Sequence, residues 1–195
     1  MELDIVLLPP KALSQKIGRL VKKLDARYGL AVAVDNKQLL PHISLLHLKT
    51  KPGRIKKIIS ATLGVGRRHK AFQLNFTKPR AGQKFFVIDL KNTSPLYVLH
   101  LGVVKAVAKF RTGKTDLRAS NSWDKNYFKQ YGVANILKNF RPHITLGAVK
   151  NLKHMDKIFS EIEQVKLPKF TAKRLAVTRV NKYHQVTKII KEFKL

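Results

Sequence analysis

The chain has 195 residues, 44% of them hydrophobic, which is enough apolar side chain to bury one sizeable core and excludes a disordered basic tail. Forty Lys and Arg against 11 Asp and Glu leave a formal charge of +29, an excess whose ordinary use is attraction to a polyanion, nucleic acid before an anionic membrane surface. With no cysteine, disulfide scaffolds, cysteine zinc sites and thiol catalysis are excluded.

The first apolar run, Leu3 to Leu8, is a predicted strand. It carries Glu2 and Asp4 where a signal peptide needs basic residues and stops at Pro9-Pro10, so a cytoplasmic protein is the expectation. Pro10 to Tyr28 reads as a helix with Leu13, Ile17, Leu20, Val21 and Leu24 on one face, and Gly29 stands where a C-cap tolerates positive φ. Strands are predicted at 30–34 and 42–48, then a basic amphipathic helix at 53–63, then strands at 71–77 and 84–90. Ser94 caps and Pro95 opens a helix that runs to Phe110; this apolar stretch contains His100 and Lys105 and is too short to span a membrane. The polar stretch 111–122 reads as an exposed loop, followed by a short helix at 123–131, a strand at 142–149, a helix at 152–164, and strands at 171–180 and 184–193.

One motif occurs twice. Pro41-His42-Ile43-Ser44-Leu45 returns 101 residues later as Pro142-His143-Ile144-Thr145-Leu146, each copy followed by a turn, an amphipathic helix and a strand. Two similar α/β lobes follow from this repeat, lobe one mainly 1–80 and lobe two mainly 83–195, joined around 78–83, with strand exchange between them allowed. In a strand, residues i and i+2 share a face, so His42 stands beside Ser44 and His143 beside Thr145, while Ile43, Leu45, Ile144 and Leu146 point into the packing. Two imidazoles and two hydroxyls on a common cleft suit phosphodiester cleavage: a neutral His takes a proton from the attacking oxygen, a protonated one gives a proton to the leaving oxygen, and the hydroxyls hold phosphoryl oxygens. Composition alone predicts about 0.03 copies of Pro-His-x-Ser/Thr, so two copies point to a site rather than to core histidines.

These two motifs resemble those of the two-histidine (2H) phosphoesterase superfamily, which includes bacterial 2′-5′ RNA ligases and cyclic nucleotide phosphodiesterases; Phe140-Arg141-Pro142-His143-Ile144-Thr145-Leu146 is especially similar to the family's second motif. The resemblance spans essentially the whole chain. It implies a bilobal α/β (α+β) fold, two pseudo-symmetric lobes with antiparallel sheets lining a central cleft and helices outside. It also implies cofactor-free, metal-independent handling of phosphoester bonds at RNA ends, by opening 2′,3′-cyclic phosphates or by cleaving or forming 2′-5′ linkages. Carried over by position, His42 and His143 are the acid–base pair and Ser44 and Thr145 bind phosphate, with the assignment of acid and base left open. The competing reading is a non-catalytic basic RNA- or nucleotide-binding module on the same fold; a third is a binder of anionic membranes through Arg54, Lys56 and Lys57.

Arg141 and Lys150 flank the second motif as candidate phosphate contacts. Trp123, Tyr127, Phe128 and Tyr131 precede it, and Tyr127 or Tyr131 is a candidate platform for a base. His47, five residues after His42, should face away from the cleft, and His69, His100, His154 and His184 read as structural or surface residues. The carboxylates do not gather around either motif and no His-x-x-x-His pair exists, so no metal site is expected. The expected partner is RNA or an oligonucleotide, and the expected state a monomer.

Overall fold

A computed structural model describes residues 1–115 and 122–195, the side chains of 122–124 excepted. Residues 116–121 of the expected loop at 111–122 and the Trp123 side chain therefore lie outside the described residues. The elements are β1 (Glu2–Leu7), α1 (Lys11–Tyr28), β2 (Leu30–Ala33), β3 (Ile43–Lys49), α2 (Ile55–Gly66), β4 (Phe72–Leu74), β5 (Phe76–Gly82), β6 (Phe85–Leu90), α3 (Ser94–Val107), α4 (Ser122–Tyr131), β7 (His143–Val149), α5 (Met155–Glu163), β8 (Phe170–Ala172), β9 (Arg174–Val180) and β10 (Val186–Lys194). Two strands expected to be continuous are split. β4 and β8 leave the main sheet to pair with each other, Phe72 opposite Ala172 and Leu74 opposite Phe170, before β5 and β9 rejoin it.

The main sheet has eight strands in the order β10-β9-β1-β3-β7-β6-β5, with β2 also on β7, and every pairing in it is antiparallel. Ile43 opposite Ile144 is the one registered pair joining β3 to β7. The sheet is thus forked there into two halves: β10-β9-β1-β3, packed by α2 and α3, and β2-β7-β6-β5, packed by α1 and α5. Neither half is a contiguous piece of chain. Residues 78–83, expected to link the lobes, instead continue β5 and turn at Gln83 (φ 55°) into the β5–β6 hairpin.

The apolar pattern explains the packing. The buried stripe of α1 is Leu13, Ile17, Leu20, Val21 and Leu24, and the helix ends at Gly29, whose φ of 59° and N–H to the Asp25 carbonyl (2.8 Å) form the expected cap. Each such side chain contributes about 1.5–3 kcal/mol by leaving water. Gly147 lets β2 and β6 close on β7: a Cβ there would meet the Val32 carbonyl oxygen and the Phe86 ring. β1 is buried on both faces, with Leu3, Ile5 and Leu7 in the main core and Val6 in a smaller cluster with Leu8, Ala176, Val180 and Val186. The second face of β1 also holds Asp4, which has no exposed surface.

His100, on α3, is structural as expected. It is wholly buried, Nδ1–H donates to the Leu45 carbonyl (2.9 Å), Nε2 accepts from Leu137 N–H (2.8 Å), and the ring stacks on Phe140. Burial holds it neutral, with its pKa lowered to about 4.

Candidate active site

The two motifs open β3 and β7 on either side of the Ile43–Ile144 pair. Both isoleucines are fully buried in the main core, so strand alternation turns His42, Ser44, His143 and Thr145 to the opposite face. His42 and Thr145 are buried and His143 is partly so. The imidazoles are held in the same way: His42 Nδ1 lies 2.8 Å from the Leu40 carbonyl oxygen and His143 Nδ1 lies 2.8 Å from the Arg141 carbonyl oxygen. A carbonyl only accepts, so both Nδ1 atoms carry hydrogen and both Nε2 atoms are left for proton exchange. Burial lowers the pKa of both histidines. Asp4 opposes that fall at His42, whereas the charges of Arg80 and Arg141 add to it at His143.

The surroundings of the two motifs differ. On β6, Asp89 pairs in register with His143 and accepts hydrogen bonds from Arg80 Nε (2.9 Å) and Nη2 (2.9 Å) and from Arg141 Nε (3.2 Å). Burial alone would raise the Asp89 carboxyl, but the Arg80 hydrogen bonds and the charges of Arg80 and Arg141 hold it below the usual carboxylate range. Two guanidinium groups on one carboxylate leave a net positive charge beside His143, suited to a phosphoryl group. Beside His42 there is a carboxylate instead. Ser44 Oγ donates to Asp4 Oδ2 (2.6 Å), and the same oxygen lies 3.8 Å from His42 Nε2 and 3.3 Å from His47 Nε2.

His47 corrects the expectation that it faces away. β3 carries a bulge: Val6 pairs with Ser44 but Ile5 pairs with Leu46, so Leu45 is an extra residue. Leu45 and Leu46 are both buried in the core, the alternation resets, and His47 lands opposite Asp4 on the face of His42. His184, expected to be structural or at the surface, adjoins this cluster: its ring meets that of His47 edge-on at 5.6 Å, and Nδ1 lies 3.3 Å from Glu2 Oε2.

Of the other candidates, Arg141 reaches the site, with its guanidinium half-exposed. Lys150 stands exposed beyond the far end of β7, seven residues from His143. At about 3.3 Å per residue that is about 23 Å, so strand length separates it from the motif. Tyr127 and Tyr131, on α4, pack edge-on to each other (6.3 Å) and partly into the main core. Asp4, Arg80 and Asp89 were not singled out by the sequence. The available signal was a lone carboxylate inside each of two apolar runs, Leu-Asp-Ile and Ile-Asp-Leu, since a buried charge is costly unless it is paired. Among the described residues no group of three or more His, Asp or Glu is arranged to hold a metal ion, and no helix is long and apolar enough to cross a membrane.

The model of a family described as the 2′-5′ RNA ligase superfamily matches residues 9–184. Among solved structures, the chain is similar to TT0787 of Thermus thermophilus, with 13% identity over 100% of this chain and 98% of that one and a TM-score of 0.66. It is similar to E. coli LigT complexed with 3′-AMP, with 12% identity over 100% and 97% of the two chains and a TM-score of 0.60. It is also similar to Usb1 of Kluyveromyces marxianus, with 11% identity over 100% and 97% and a TM-score of 0.54. No curated protein sequence matches.

Proposed function

Because this chain belongs to the 2′-5′ RNA ligase superfamily, within the two-histidine phosphoesterases, we propose that it is a metal-independent phosphoesterase acting on RNA-type phosphodiesters through His42 and His143. The observation that carries the reading is the matched pair of imidazoles, each fixed through Nδ1 to the carbonyl two residues before it and each keeping Nε2 for the substrate.

The chemistry follows from the chain's own groups. A phosphodiester enters with its non-bridging oxygens toward the Arg80–Arg141 side and the Thr145 hydroxyl, whereas the Ser44 hydroxyl, whose hydrogen goes to Asp4, reaches a phosphoryl oxygen only by giving up that bond. One imidazole, neutral, accepts the proton of the attacking water or ribose hydroxyl as the new P–O bond forms. The other, protonated, delivers its proton to the leaving oxygen as the old P–O bond breaks. Both proton transfers come from side chains and the charge stabilisation from two guanidinium groups, so no step requires a metal. The bonds proposed are the 2′,3′-cyclic phosphate and the 2′-5′ linkage, and a nucleotide substrate is supported by the similar LigT structure, which is complexed with 3′-AMP. The large positive charge is assigned to RNA beyond the scissile bond.

The test is a panel of 2′,3′-cyclic-phosphate and 2′-5′-linked oligonucleotides incubated with EDTA, with product ends identified. Turnover of one class that is lost in His42→Ala and in His143→Ala is the expected result. Full activity in either variant, or a strict need for a divalent ion, overturns it.

A further inference from the structure

The chemistry above leaves unexplained the acidic cluster beneath His42. Asp4 is wholly buried, its Oδ2 shared by Ser44 Oγ (2.6 Å), His47 Nε2 (3.3 Å) and His42 Nε2 (3.8 Å). A buried carboxylate is expensive even when partly paired, and an apolar side chain would cost less at this place. The repeat supplies its own control. β7 carries the same bulge as β3: Val87 pairs with Thr145 and Phe86 with Gly147, which leaves Leu146 as the extra residue, in the place of Leu45. One position further, where His47 faces Asp4, the second copy has Ala148 facing Phe85. The fold therefore closes around an apolar pair at this place, and the Asp4–His47 pair is an addition made at one motif only.

We propose that Asp4 is a positioning residue that keeps a proton on His42, making His42 the acid and His143 the base of the pair, and that His47, competing for the same carboxylate oxygen, limits how firmly that proton is held. This rests on the acid–base reading given above. The charged and titratable groups around Asp4 and His42 are Glu2 on β1, His47 on β3, His184 in the turn between β9 and β10, and His143 on β7. Arg80, Asp89 and Arg141 act from the other side, on His143. Among the described residues Asp4 is the one carboxylate paired with His42, and the guanidinium groups of Arg80 and Arg141 act on His143. Asp4 thus pushes His42 toward the protonated state, and the charges of Arg80 and Arg141 push His143 toward the neutral one, against the opposing pull of Asp89. In a turnover, His143 Nε2 takes the proton of the attacking oxygen as its bond to phosphorus forms, and the P–O bond to the leaving oxygen breaks as that oxygen takes the Nε2 proton of His42. The pair ends with His42 neutral and His143 protonated, and exchange with water restores both.

Burial pushes the Asp4 carboxyl up to about 6, and burial together with His184 and His143 pushes His47 down to about 3. Near neutral pH, Asp4 is therefore mostly ionised and His47 neutral, so His47 acts by polar contact with the carboxylate rather than by charge.

The experiment follows the imidazole signals of His42 by NMR titration in the wild type, Asp4→Asn and His47→Leu, alongside the pH dependence of kcat/KM on whichever oligonucleotide is turned over. In Asp4→Asn the His42 midpoint falls and the alkaline limb moves to lower pH, with a loss of roughly tenfold at about pH 8 and little at about pH 6. In His47→Leu both move the opposite way. An unmoved His42 midpoint in Asp4→Asn, or both variants moving in one direction, overturns the coupling, and a shift of the acidic limb instead makes His42 the base. If Asp4→Asn does not fold, His47→Leu decides by itself: no upward movement sinks the proposal. The titration needs no turnover, so absence of activity on every oligonucleotide defeats the functional reading while the Asp4–His42 coupling is still measured.

Discussion

Around His143 the lining is basic, with Arg80 and Arg141 converging on Asp89; around His42 it is acidic, with Asp4 taking the Ser44 hydroxyl and standing between two imidazoles. The backbones of the two motifs are nearly the same: each histidine is tied to the carbonyl two residues back, each isoleucine enters the core, and each strand bulges one residue after the hydroxyl. A duplicated backbone thus presents two imidazoles symmetrically, and their neighbours, Asp4 on β1 against Arg80 on β5 and Arg141 just before β7, make them unequal. Acid and base need opposite protonation states at one pH, so unequal surroundings are what a symmetric pair requires to work in one direction.

Several changes would break or sharpen this contrast. The largest effect should come from the imidazoles: His42→Ala or His143→Ala costs about 10²- to 10⁴-fold in rate, and the double variant much less than the product of the two, because they act as a unit. Single-turnover assays on the three proteins check this. If one histidine proves dispensable, the site has no working symmetry to break.

Next comes the cost of the acidic side. The Asp4 pKa is raised from 3.8 to about 6 in the folded chain, so ionising it opposes folding. Its penalty is absent below about pH 4, grows through that window and is complete above about pH 6. Asp4→Asn should therefore raise stability at neutral pH, by at most about 3 kcal/mol, with the gain vanishing as pH falls to 4. Urea melts at several pH values measure it. Stability lost equally at every pH would mean that Asp4 is there for packing.

The basic side should respond more modestly. Arg80→Ala removes the bidentate partner of Asp89 and should raise KM by about tenfold, more than Arg141→Ala, whose guanidinium is half-exposed. Steady-state kinetics separate KM from kcat, and neither substitution should move the alkaline limb attributed to His42. Asp89 has the opposite linkage to Asp4: its lowered pKa stabilises the fold above the ordinary carboxylate range, and that stability is lost as pH falls through the folded value.

The smallest effect on the chemistry should come from salt. Binding of an RNA of about ten nucleotides should weaken with salt at a log–log slope of about −0.7 per phosphate engaged, while cleavage of a dinucleotide, governed by the two motifs, changes far less. Equal slopes for both would assign the +29 charge no extended role.

The order of strands and helices was legible from periodicity and punctuation because each signal is local: the apolar stripe of α1, the Gly29 cap and the alternation around both histidines all appear in the structure as read. The repeat was legible too, and with it the pair His42 and His143 with Ser44 and Thr145. What could not be read depends on which strands lie side by side. His47 was placed on the wrong face because counting by two assumes an unbroken strand, and the extra Leu45 arises only when β3 is held against β1. Asp4 is, in sequence, an acidic residue near the start of the chain; packing between β3 and β9 buries it and gives it three partners. Arg80 sits in a polar stretch read as a link, and the β5–β6 hairpin carries it to Asp89 and so to His143. The sequence by itself determined the pair of histidines proposed to react, since alternation along one strand is enough to expose it. The tertiary structure alone decided what stands beside each member, because strand pairing is non-local and a side chain's electrostatic surroundings belong to its neighbours in space.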